Sequence, residues 1–231
     1  MTENQQSTPQ QVVQKQPNFL CTITKTLIAS LILSIIIEWL CITFVWPEQG
    51  AMHSKNVMKE EFGWFSAQFQ QSLLYSYPVI LAEQTIVFIH EWLFIKTGLQ
   101  TWLHNTPQDA GVSAYIWFYA RSYIESTLYV IIIFIIRLLI IILTSPLFIL
   151  VAIVGLTDGL VQRDLRRFGV GRESAFKYHH AKKSVAPVMF MAWIIYLAIP
   201  ISIHPNLILI PAAILFGIMI ALTASNFKKY L

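Results

Sequence analysis

Chemistry in this chain could reside in only a few residues. His179 and His180 are adjacent imidazoles, His90-Glu91 opens a zinc-protease-like pattern, and Cys21 and Cys41 are the two thiols. Neighbouring residues on a helix point about 100° apart, so His179 and His180 cannot chelate one ion together. The zinc-protease pattern needs a second histidine one helical turn after the first, and that position holds Phe94. Cys21 precedes an apolar run and Cys41 lies within it, so a disulfide would have to join opposite ends of one helix, which its geometry forbids. Neither thiol has the spaced His or Cys neighbours of a metal site. No metal site, cofactor or catalytic residue is expected.

Two charges are left inside apolar runs, Glu38 and Arg137. Unpaired at the bilayer centre, each costs about 2.5 kcal/mol or more, so such residues find one another, water or a partner chain. Counting from opposite ends of their helices puts them at comparable depth on antiparallel neighbours, which predicts an intramembrane Glu38–Arg137 pair. The alternative has Arg137 reaching the outer headgroups and Glu38 protonated beside Trp39.

The elements that must position these residues are membrane helices. The chain is 56% hydrophobic and only 12% charged, with its apolar residues in long runs. This excludes an ordinary soluble domain. Residues 1–18 are polar and rich in Gln, which predicts a disordered tail. Spans are expected at 27–46, 127–156, 185–203 and 207–224, with a bend at Ser145-Pro146 and a tight hairpin turn from Ser202 to Asn206. The first is read as a retained anchor, because no small-residue cleavage site follows it. Residues 47–126 carry seven acids against four bases and many aromatics, which suits helices lying at the outer interface. Within it, 79–99 is long enough to cross but reads better as an amphipathic surface helix.

Orientation comes from the block between the second and third spans. Counting from Asp158 to Lys183, it holds seven basic residues against three acids. Short loops rich in Lys and Arg stay in the cytoplasm, so four spans put the block, the C-terminal residues 225–231 and the N-terminus inside. From Gly159 to Phe168 the residues form a basic amphipathic helix, with Leu160, Val161, Leu165 and Phe168 on one face and Arg163, Arg166 and Arg167 on the other. Asp158 is placed to cap its start and Gly169 to end it. Arg172, Phe176, His179 and Lys183 share one side of a second helix, where Glu173 supports Lys177. Anionic lipid headgroups or an acidic groove on a partner could receive these charges. Direct nucleic-acid contact is not expected, since the block lacks a reading motif.

The same block carries a resemblance. The run from Asp158 to Ser174, with its DGLVQRDLRRFGVGRES order, followed by Tyr178-His179-His180-Ala181-Lys182-Lys183, resembles the integrating-conjugative-element membrane protein family. Val170 departs from that family's pattern, which has a glycine there. The resemblance implies a bacterial inner-membrane protein of a conjugative, type IV secretion-associated DNA-transfer system, encoded near the coupling ATPase. It implies that ATPase and other conjugation-apparatus membrane proteins as partners, and no enzymatic role.

The expectation is therefore an all-α membrane protein of four transmembrane helices, with an aromatic-rich outer region and a basic cytoplasmic helical loop at 158–184. Its docking residues would be Arg163, Arg166, Arg167, Arg172, Glu173, Tyr178, His179, Lys182 and Lys183. The rival class is a small transporter or membrane-embedded enzyme using Glu38, Arg137 and the His179-His180 block.

Overall fold

Apolar runs without turn residues become helices because hydrocarbon leaves the backbone no other way to satisfy its polar groups. The computed structural model describes residues 19–71, 77–96, 98, 112–168 and 175–227, and the expected tail at 1–18 lies outside them. The described elements are α1 (Phe19–Phe44), α2 (Ala51–Gln71), α3 (Tyr77–Glu91) running into a π-helical turn (Trp92–Lys96), α4 (Val112–Phe168), α5 (Ala175–Ala198) and α6 (Pro205–Ser225). Among the described residues there is no strand. The protein is all-α. Four helices are long and apolar enough to cross a membrane, with spans at Cys21–Phe44, Tyr119–Arg166, Tyr178–Ala198 and Pro205–Ser225.

The largest departure from expectation is α4. A span ending at 156 and a separate basic helix starting near 159 are instead one helix of 57 residues. At 1.5 Å per residue it is about 85 Å long, far more than a hydrocarbon core of about 30 Å. Asp158 therefore caps nothing: it sits inside the helix and accepts a hydrogen bond from the Gln162 amide at 2.8 Å. Pro146 is also inside the helix and does not end it. Just before it, the Thr144 hydroxyl donates to the carbonyls of Ile140 and Ile141. α5 ends at Ala198, short of the expected 203, and α6 begins at Pro205 after the tight turn.

The excess length of α4 gives the protein two tiers, and α1 reaches into both, since Leu27 and Ser30 lie beside Phe190, Trp193 and Leu197 of α5. The N-terminal half of α4 packs on α1, α2 and α3. There Trp39 donates to Thr127, Thr43 meets Tyr123, and Ser54 meets Ser126. Its C-terminal half packs on α5 and α6. Phe148 lies edge-on to Trp193 and against Phe216. One buried cluster runs through both tiers, from Phe65 and Ile86 through Ile132, Ile136 and Ile140 to Phe148, Leu197 and Leu209.

Close packing in the second tier depends on small residues. Gly155 and Gly159 of α4, four apart, face Gly217 and Ala221 of α6. A Cβ on Gly155 would stand 2.5 Å from the Gly217 carbonyl oxygen, and one on Gly159 would stand 2.5 Å from that of Ala221. Small residues at this spacing let two membrane helices approach backbone to backbone. The pairs 155–217 and 159–221 advance together, so α4 and α6 run parallel, with α5 returning between them.

Candidate functional site

The seam between the tiers is built around Arg137, which is 1% exposed. Its Nε and Nη2 both donate to Glu61 Oε1, at 3.1 and 2.7 Å. Nη1 donates to the carbonyls of Tyr196 (3.0 Å) and Ile199 (2.5 Å), and Nη2 also donates to that of Ile201 (2.9 Å). A guanidinium has five N–H donors. All five are used. The last carbonyls of a helix have no partner within it, and the negative end of the helix dipole lies there. Arg137 thus terminates α5 and holds the α5–α6 turn, while Glu61 supplies the countercharge from α2. Two further contacts join α2 to the turn: His53 Nε2 lies 3.2 Å from the Pro200 carbonyl, and Trp64 packs on His204 at 5.7 Å.

This geometry corrects the expected Glu38–Arg137 pair. Glu38 is buried and accepts instead from the Ser54 hydroxyl at 2.6 Å, with Ser126 hydrogen-bonded to Ser54 at 2.9 Å. The depth argument failed because α2, read as an outer interfacial element, descends beside α4 and brings its own acid to Arg137. A signal was present in the sequence. Ser54, Val57, Glu61 and Phe65 recur at helical spacing, and all four are buried, whereas Lys59 and Glu60 are exposed.

At the far end of α4 the basic residues take separate roles. Arg166 donates to the Ser225 carbonyl and to the Asn226 side chain, placing a cation on the C-terminus of α6. Asn226 adds a bond from its amide to the Leu222 carbonyl at 2.7 Å. Arg163 is half-buried, and its Nη2 lies 3.6 Å from Asp164. Tyr178 is buried edge-on to Phe227 at 5.7 Å, with the Lys182 ammonium 5.7 Å from its ring centre and His179 beside it at 5.5 Å. His179, His180, Lys182 and Lys183 are exposed. Arg172 and Glu173 lie outside the described residues, as does the side chain of Arg167.

The apolar face expected for 159–168 exists, but it points outward. Val161, Leu165 and Phe168 are exposed while Arg163 and Arg166 turn toward the bundle. Arg166 covers the C-terminal end of α6 there, and Leu160 lines the cleft beside Arg163, leaving Val161, Leu165 and Phe168 for lipid or a neighbouring chain.

The groups of the rival class do not converge. His179 lies near the start of α5 and the Arg137 contact at Tyr196 near its end, about 25 Å away at the helical rise. Arg137 has no donor left for a substrate, and the Glu38 carboxylate is engaged elsewhere. Among the described residues no three side chains are grouped to hold a metal ion.

No curated protein and no solved structure matches the chain. A family does match, over residues 45–228, and its description is "IncC plasmid conjugative DNA transfer protein DtrJ-like". That segment begins just after α1 and takes in α2 through α6, including both partners of the Glu61–Arg137 seam and the whole basic end. The chain belongs to the DtrJ-like family of conjugative DNA transfer proteins.

Proposed function

We propose that this protein is a non-enzymatic inner-membrane subunit of the conjugative apparatus, with its basic end in the cytoplasm, where it docks on the coupling ATPase. Membership of a conjugative transfer family supplies the process. The observation that carries the docking role is the exposed edge of α5: Lys182 and Lys183 project from the bundle with His179 beside them, whereas Arg166 is bound to α6. Orientation follows from the excess of Lys and Arg at that end. Charges on an exposed rim mainly set encounter rate and register, which suits a reversible contact with a motor protein.

Replacing His179 and Lys183 together with Gln tests this reading. Neither residue makes a contact that holds two helices together, so membrane level should not change. DNA transfer should fall at least about tenfold, and co-purification of the coupling ATPase should fall with it. Undiminished transfer and co-purification at normal protein level would remove the docking role.

A further inference from the structure

Between the basic ends of α4, α5 and α6 lies a cleft of about 570 Å³, within the roughly 300–1,000 Å³ of small-molecule sites. Its two ends differ in chemistry. Arg163, Lys182 and Tyr178 line its end nearest the helix termini, with the Lys182 ammonium over the Tyr178 ring, while the walls further along the helices are apolar, formed by Leu156, Val185 and Ile220. From Arg163 to Leu156 is about 10 Å along α4, so the cleft runs from the helix ends into the depth of the acyl chains. The Nε of Arg163 is buried and has no hydrogen-bond partner among the described residues. The Asp164 contact at 3.6 Å is exposed and does little to neutralise it.

We infer that this cleft binds one anionic phospholipid of the surrounding leaflet, its phosphate between Arg163 and Lys182 and an acyl chain along Leu156, Val185 and Ile220. The charge arrangement fits a phosphodiester, since a guanidinium takes two phosphate oxygens side by side and an ammonium adds a point charge. Basic clefts between membrane helices at their cytoplasmic ends recognise anionic headgroups in this way. A soluble anion would leave the apolar walls unfilled, and an acidic protein segment would not need them. The site shares Lys182 with the edge proposed for docking, but lipid retention by the purified protein is read without a partner and so does not depend on that proposal.

The test uses the purified full-length protein in nonionic detergent with equimolar phosphatidylglycerol and phosphatidylcholine, reading retained lipid by native mass spectrometry. Phosphatidylglycerol should be retained preferentially. Arg163→Gln and Lys182→Gln should each lower its retention about fivefold, and the double variant about thirtyfold, as expected for residues that each face an anionic headgroup. Ile220→Trp, which fills the apolar end and keeps both cations, should lower it as well. If that variant melts early, Leu156→Phe takes its place. Lys183→Gln, outside the cleft, should retain lipid normally. Equal retention of the two lipids, an equal loss in Lys183→Gln, or normal retention with the apolar end filled would each overturn the inference. So would displacement of the lipid by equimolar inorganic phosphate or by an acidic peptide.

Discussion

Replacing Arg137 with Met separates the two-tier reading of this fold from the depth argument that sequence alone allows. The substitution keeps an unbranched side chain of similar reach and removes five hydrogen bonds at once. It leaves the Glu61 carboxylate buried without a countercharge, and the carbonyls of Tyr196, Ile199 and Ile201 without their donor. Removing one partner of a buried pair costs about 3–5 kcal/mol. Against a total stability of roughly 5–15 kcal/mol, that is a large share. For a chain of this size each kcal/mol corresponds to about 2–4 °C in melting temperature, so Arg137→Met should melt about 6–20 °C lower in detergent.

Glu61→Gln keeps an acceptor oxygen at the same place but leaves the buried Arg137 guanidinium without its countercharge, a loss of about 3 kcal/mol or more for a broken buried pair. In the double variant the charge is removed from both sides, so the losses should fall short of their sum by about 2 kcal/mol. The same cycle with Glu38→Gln should show a smaller coupling than the one with Glu61, because Glu38 accepts from Ser54 and makes no bond to Arg137. A larger coupling of Arg137 to Glu38 than to Glu61 would refute the seam and restore the expected pair.

Two other measurements address the packing and the topology. Gly155→Ala and Gly159→Ala should each destabilise by about 1–3 kcal/mol, since the added methyl meets α6 backbone, whereas Gly63→Ala, with nothing within 4 Å, should stabilise α2 by up to about 1 kcal/mol; equal effects at all three would sink the close-contact account. Reporter fusions after Gly63 should read out on one side of the membrane and fusions after Lys183 and Asn226 on the other; a Lys183 fusion on the Gly63 side would mean that α4 does not carry the chain across.

What the sequence made legible was whatever depends on local composition. Apolar runs located four helices able to span, and Pro205 with its polar neighbours located the hairpin turn. Two features depended on contacts between distant segments. Nothing local distinguishes a long span followed by a basic helix from one helix through both, because Asp158 reads as a cap until the helix is seen to run through it, with Gly155 and Gly159 packed on α6. The partner of Arg137 was hidden for a related reason. A segment as polar as 51–71 was assigned to the outer interface as a unit, although its Ser54–Val57–Glu61–Phe65 face is buried throughout. Treating charge as a property of a segment, instead of a helix face, produced the wrong pair.

The seam and the basic end together suggest why one helix should run through both tiers. Packing among apolar helices in lipid has little hydrophobic drive, so polar contacts and close backbone approach must fix the arrangement. α4 supplies both: Arg137 locks the α5–α6 turn to α2 at one level, and Gly155 with Gly159 seats α6 at another, with Arg166 closing the end of α6 beyond them. The same α5 that ends at the Arg137 contacts begins at the exposed cationic edge, about 25 Å away along one continuous helix. A partner bound at that edge therefore pulls on an element whose other end is held by three hydrogen bonds from Arg137 rather than by lipid. Under the docking proposal this makes the seam the anchor against which a cytoplasmic motor works. Arg137→Lys then has a definite expected outcome: an ammonium has three donors for four acceptors and lacks the planar fork. The protein should remain inserted yet melt lower, and transfer should decline in step with that loss of rigidity rather than with protein level. Full transfer by a destabilised but abundant Arg137→Lys protein would leave the seam a folding device alone.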